Sequence, residues 1–72
     1  LIFQLKKKSN AEIIAKWLQR RFYENYKELV DIWIAEIRTV EKEELWGVFV
    51  REEHVYSVKE LFNKFSEKEK YT

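Results

Sequence analysis

Reactive side chains are few in this chain and badly spaced for catalysis. There is one histidine, His54, directly after Glu52 and Glu53, and no cysteine. Ser9, Ser57, Ser66, Thr39 and Thr72 are the candidate hydroxyl nucleophiles, and any of them would need a base within hydrogen-bond reach. Ser9 with Glu12, and Ser57 with Glu60, have the S-x-x-E spacing of a capping box, where the hydroxyl takes up a helix amide. Both serines therefore read as helix caps. A catalytic zinc takes three protein ligands, and a lone histidine beside surface glutamates is not that donor set, so His54 reads as an exposed loop residue. The single glycine, Gly47, cannot build a phosphate loop. Glu41, Glu43 and Glu44 read as a solvated turn. No cofactor, metal or small-molecule substrate is expected, and the chain reads as a protein without enzymatic activity.

Binding chemistry has more to work with. Net charge is +1, but residues 1–27 hold seven basic and two acidic side chains, while residues 28–72 hold seven basic and eleven acidic. Lys6, Lys7 and Lys8, followed by Lys16, Arg20 and Arg21, form candidate anion-binding clusters for a nucleic-acid backbone or an anionic membrane surface. Against that reading, the acidic half repels a polyanion and no aromatic RNA-binding signature is present. Lysines after a short strand also protect an open sheet edge. A protein partner or a second copy of the chain is the favoured partner, and nucleic acid the alternative.

The elements that would position these groups follow from patterning. Seventy-two residues make one small domain, which buries only about 60% of its unfolded surface. Without disulfides, its three Trp, four Tyr and five Phe must supply the core, each burying roughly 150–250 Å². The lack of cysteine fits a reducing compartment, and with no apolar run long enough to span a membrane the chain reads as cytoplasmic. It begins at Leu1 and has no methionine, which reads as a domain excised from a longer protein.

The spacing predicts a strand over about 1–7, with Leu1, Phe3 and Leu5 on one face. A helix over about 10–24 follows, with Ala11, Ile14, Ala15, Leu18 and Phe22 in its apolar stripe and Ile13 and Trp17 widening it. A last helix, over about 58–68, carries Val58, Leu61, Phe62 and Phe65, with Tyr56 and Leu61 as a hydrophobic staple across its cap. The middle is ambiguous. Phe22, Tyr26, Leu29, Trp33, Ile37 and Val40 fall at helical spacing, so an all-α helical hairpin built on one long helix is the alternative fold. The Ile- and Trp-rich "DIWIAEI" and the glycine inside "ELWGVFV" favour two strands, about 29–39 and 44–51.

A turn near Lys42–Glu43 then pairs Ile37 with Val48, Ala35 with Val50 and Thr39 with Trp46 on an apolar face under the helices. The other face pairs Glu36 with Phe49, Ile34 with Arg51 and Arg38 with Gly47. Ile34, Arg38, Gly47 and Phe49 on that mixed face are the candidate partner surface. The expected fold is α+β: a small β-α-β-β-α domain, three-stranded in the order 1-3-2 with two helices on one face, ferredoxin-like but lacking the fourth strand. Strand 1 is left as an open edge for strand addition.

The last third of the chain, through Leu45–Trp46, the acidic loop after them and the amphipathic segment Val58–Phe65, resembles the end of the small cytosolic domain that precedes the membrane part of bacterial rhomboid proteases. The order of elements agrees with that domain, although the strand here continues through "GVFV". The resemblance implies a non-catalytic accessory domain of a membrane protein, and it carries over no functional residues.

Overall fold

The computed structural model describes the backbone of residues 2–70 and the side chains of residues 2–64. The elements run β1 (Phe3–Leu5), α1 (Lys8–Tyr26), β2 (Ile32–Arg38), β3 (Glu44–Val50) and α2 (Val55–Lys70), with a 3-10 turn at Glu52–His54 leading into α2. The three strands form one antiparallel sheet in the order β1-β3-β2. Both helices pack on one face of it. The fold is α+β, as expected, and residues 29–40 are not helical. Leu1 and Thr72 lie outside the described residues, as do the side chains of Phe65 and Ser66.

Contrary to expectation the core is built mostly by β-branched and aliphatic side chains, with Phe22 the one ring among the buried residues described. Ala11, Ala15, Leu18 and Phe22 of α1 and Val58 and Leu61 of α2 bury against Val30, Ile32, Val48 and Val50. Aromatic rings seal its rim. Phe3 meets Phe62 at 4.5 Å between centroids, and Trp17 meets Phe62 edge-on at 6.1 Å. Rings thus tie β1, α1 and α2 together where a chain of this size has no disulfide to do so.

Neither capping box forms. The α1 N-cap is Lys7, with extended backbone and no side-chain cap bond, and the Ala11 amide already donates to the Lys7 carbonyl at 3.2 Å. Ser9 therefore lies inside the first turn. The earlier start places the Lys8 ammonium 5.3 Å above the Trp46 ring, a cation–π contact that a helix beginning after Ser9 would forgo. At α2, the His54 amide donates to the Arg51 carbonyl at 2.9 Å and Val55 is already helical. Ser57 is consequently internal, and Tyr56 is 78% exposed, so the Tyr56–Leu61 staple is absent while Leu61 alone is buried.

The hairpin register also differs from expectation. Observed pairs are Ile32–Val50, Trp33–Phe49, Ile34–Val48, Ala35–Gly47, Glu36–Trp46, Ile37–Leu45 and Arg38–Glu44. Relative to the expected pairing the strands are slipped by an odd number of residues, which turns every β2 side chain to the opposite face relative to β3. The loop is the cause. Lys42 N–H donates to Thr39 O at 2.9 Å, and Thr39 N–H to Glu43 O at 3.1 Å. Together with left-handed Lys42 (φ 63°), they make a three-residue loop of a type I turn followed by an αL residue. Val40, the last member of the helical spacing that supports the all-α alternative, sits fully exposed in that loop. The Thr39 hydroxyl accepts from the Glu43 amide at 3.1 Å and closes it.

Two lysines hold left-handed backbone where glycine is the unstrained residue. Lys42 is one. Lys27 (φ 56°) ends α1 by donating its amide to the Tyr23 carbonyl at 2.8 Å, the single-bond αL cap. Lys27→Gly and Lys42→Gly are each expected to raise stability by about 0.5–1 kcal/mol, because relief of the αL strain exceeds the added chain entropy. Urea unfolding midpoints measure this.

Candidate functional site

The observed register creates two unlike sheet faces. Phe3, Leu5, Ile32, Ile34, Trp46, Val48 and Val50 lie under the helices or pack against the core. On the other face, which no element covers among the described residues, Trp33 pairs with Phe49, Ala35 with Gly47 and Ile37 with Leu45. The Trp33 and Phe49 rings stack 11° from parallel with centroids 6.1 Å apart. Trp33 remains 47% exposed, the others partly so, and Gly47 is buried among its neighbours.

This face has relief. Gly47 and Ala35 form a low step across β3 and β2, with the longer, polar Gln4 paired to Gly47 on the other side of β3. The Trp33–Phe49 and Ile37–Leu45 pairs rise on either side of that step. Gly47 has an ordinary negative φ and sits in an uninterrupted β2–β3 ladder. It contributes the absence of a side chain rather than an unusual backbone. Beyond the aromatic pair, Arg51 Nε bonds Asp31 Oδ2 at 3.1 Å, an exposed ion pair of little energetic weight.

Of the four residues expected on the partner surface, Gly47 and Phe49 lie on the uncovered face. Ile34 and Arg38 do not. Ile34 opposes buried Val48 and packs against the core. Arg38 is at the end of β2 on the helix-covered side, 3.7 Å from Glu44. Sequence patterning misses Trp33, Ile37 and Leu45 as surface residues. The alternation of Trp33, Ala35 and Ile37 shows that they share a face, but hydrophobicity alone assigns that face to the core.

The basic residues do not assemble into one patch. Lys6 and Lys7 are exposed between β1 and α1, and Lys8 is engaged over Trp46. Arg21 bonds Glu24 at 3.4 Å and lies 5.7 Å from the Trp17 centroid. Lys16 and Arg20, with Ile13 and Trp17, line an open cavity of about 250 Å³ on the outer side of α1. That volume is below the roughly 300–1,000 Å³ of an enclosing ligand site.

His54 is not an exposed loop residue. It belongs to the 3-10 turn, with its ring edge-on to Phe22 at 5.5 Å and its side chain 21% exposed. Its Nδ1 is 4.0 Å from Glu53 Oε1, beyond hydrogen-bond distance. Packing against α1 brings it inside, a long-range effect that the neighbouring glutamates conceal. Among the described residues no three His, Asp or Glu side chains converge on a metal-sized site, and no helix is long and apolar enough to cross a membrane. No known family, curated protein or solved structure matches this chain.

Proposed function

We propose that this chain is a non-catalytic, cytoplasmic interaction module that holds an amphipathic helix of a protein partner on the uncovered face of its sheet. The observation that carries this reading is the stacked Trp33–Phe49 pair, apolar, partly exposed and flanked by Ile37 and Leu45. Aromatic side chains fixed on a rigid sheet supply contact area at little entropic cost. Size selects the occupant. Three strands about 4.8 Å apart and about seven residues long give a face of roughly 300 Å². Any occupant of this face alone buries less than the roughly 800 Å² per partner of a stable interface, so the contact is a weak, transient one. One helix, about 10–12 Å wide, matches the width and length of this strip and reaches past its rim. An accessory role within a larger membrane protein, implied by the rhomboid resemblance, is compatible with such a surface.

Nucleic-acid binding by the basic half has weaker geometric support, because Lys8 and Arg21 are engaged with rings and Lys16 and Arg20 stand apart from Lys6 and Lys7.

Titrating the isotope-labelled protein with a synthetic amphipathic helical peptide bearing one leucine stripe tests the proposal. Amide shifts are expected at Trp33, Ala35, Ile37, Leu45, Gly47 and Phe49. Phe49→Lys is expected to weaken binding by at least about thirtyfold, the factor for an aromatic anchor worth about 2 kcal/mol. Shifts confined to α1, or binding unaltered in Phe49→Lys, would refute it.

A further inference from the structure

The sheet has a second open feature, the outer edge of β2. β1 also lies at an edge, but it is three residues long and runs into three lysines, whereas β2 spans seven residues. The Thr39–Glu43 backbone bond fixes which groups face outward. Hydrogen-bonded pairs alternate along an antiparallel ladder, so Ile37, Ala35 and Trp33 bond to β3. The N–H and C=O groups of Ile32, Ile34, Glu36 and Arg38 point away from it. The Gln19 side chain agrees with this parity, since its Nε2 donates to the Ile32 carbonyl at 3.4 Å from outside the sheet. β2 has no proline, bulge or lysine to blunt this edge, and its two charges, Glu36 and Arg38, are of opposite sign.

We infer that β2 pairs antiparallel with β2 of a second copy about a twofold axis at Ala35, joining two three-stranded sheets into one of six strands. The strand is self-complementary in that register. Its centre is Ala35, so all seven residues pair: Ala35 with Ala35 of the second copy, Ile34 with Glu36, Trp33 with Ile37 and Ile32 with Arg38. No two like charges stand directly opposite. On the uncovered face Trp33 meets a β-branched side chain, a favourable cross-strand pair, and two alanines at the axis let the strands approach. Moving the axis to Glu36 would oppose two carboxylates, and moving it to Ile34 would leave the end of each strand unpaired. The outward groups of Ile34 and Glu36 form the centre of the ladder, and at its ends the Arg38 amide shares with Gln19 the Ile32 carbonyl, which has two lone pairs. Pairing also places the two apolar faces side by side, giving a surface about twice the size of one. This inference stands whether or not that face holds a helix.

Two variants test it by sedimentation and cross-linking of the intact chain. Glu36→Pro removes an outward N–H while leaving the inner ladder to its odd-numbered neighbours. It is expected to abolish concentration-dependent dimerisation with little change in far-ultraviolet circular dichroism. Ala35→Cys introduces a single thiol into a chain that has none. Opposed residues at a non-hydrogen-bonded position have Cα atoms about 4.5 Å apart, within disulfide range. Ala35→Cys is expected to form a disulfide dimer at least about tenfold faster than Val40→Cys in the exposed loop, through the higher effective concentration of the paired thiols. A strict monomer at high concentration overturns the inference, as does cross-linking of Ala35→Cys no faster than that of Val40→Cys. Should Glu36→Pro unfold, the comparison of the two thiol variants decides. Phe49→Lys separates the two surfaces: it is expected to leave the edge dimer intact, and a dimer lost there but kept in Glu36→Pro places the second copy on the face instead.

Discussion

Leu18→Ala is expected to destabilise the domain by about 3 kcal/mol. Leu18 has no exposed surface and lies in the α1 stripe with Ala11, Ala15 and Phe22, in the same core as Val48 and Val58. Truncation removes buried methyl groups and leaves a cavity that two alanine neighbours are too small to fill. A 72-residue chain has a total stability of only about 4–11 kcal/mol, so one substitution removes a large part of it. The melting temperature should fall by about 10–20 °C. The urea midpoint should shift with little change in slope, since the folded state exposes no new surface. Ile13→Ala, earlier in the same helix and 65% exposed, should change stability by less than about 0.5 kcal/mol. A comparable loss at both positions would contradict the placement of the α1 stripe.

Ile32→Asp and Ile37→Asp form the second test, and they divide the two hairpin registers. Both residues lie in β2 and both are isoleucine. In the observed register Ile32 opposes Val50 in the core, whereas Ile37 opposes Leu45 on the uncovered face. An aspartate at position 32 would have to be buried without a partner, at a cost above about 4 kcal/mol. Ile32→Asp should therefore leave the chain largely unfolded at 25 °C. Ile37→Asp keeps its carboxylate at a solvent-facing position and should lose only about 1 kcal/mol. Circular dichroism melting of the two variants is sufficient. The reverse order of stabilities would support the slipped pairing, in which Ile37 faces the helices.

The slip shows how a hairpin register is decided. Sequence patterning locates two strands and a polar connection, and either pairing gives a sheet with one apolar face. The observed one buries Ile32, Ile34, Val48 and Val50 with Trp46 under the helices. The alternative would put Trp33, Ala35, Ile37 and Thr39 there instead, and since Val48, Val50 and Trp46 are covered in both, burial alone does not separate the two. Loop geometry separates them, through the Thr39–Glu43 and Lys42–Thr39 backbone bonds, even though no glycine marks the αL position. Lys42 accepts about 1–2 kcal/mol of left-handed backbone strain, less than the burial of the sheet's covered face contributes as a whole. The capping boxes fail for a related reason. A cap is worth about 1 kcal/mol, comparable to what ring contacts and an extra helical turn supply, so tertiary packing moves both helix starts toward the N-terminus.

The class and order of the elements are legible in local patterning. The α1 stripe from Ala11 to Phe22, the buried Val58 and Leu61 of α2 and the two β-rich runs are local periodicities that one chain segment can display. The chemistry available is legible there too: no thiol, one histidine and one glycine, whereas the rings expected to supply the core lie mostly at its rim or in solvent. Only the tertiary structure decided which face of each strand is covered, because that depends on a register set jointly by a loop and by helices distant in sequence. The same cause moved Ile34 and Arg38 away from the partner surface and brought Trp33 and Ile37 onto it, while packing of the turn before α2 on α1 drew His54 against Phe22. The outer edge of β2 belongs to the same set, since the outward direction of its amides follows from a single bond between Thr39 and Glu43.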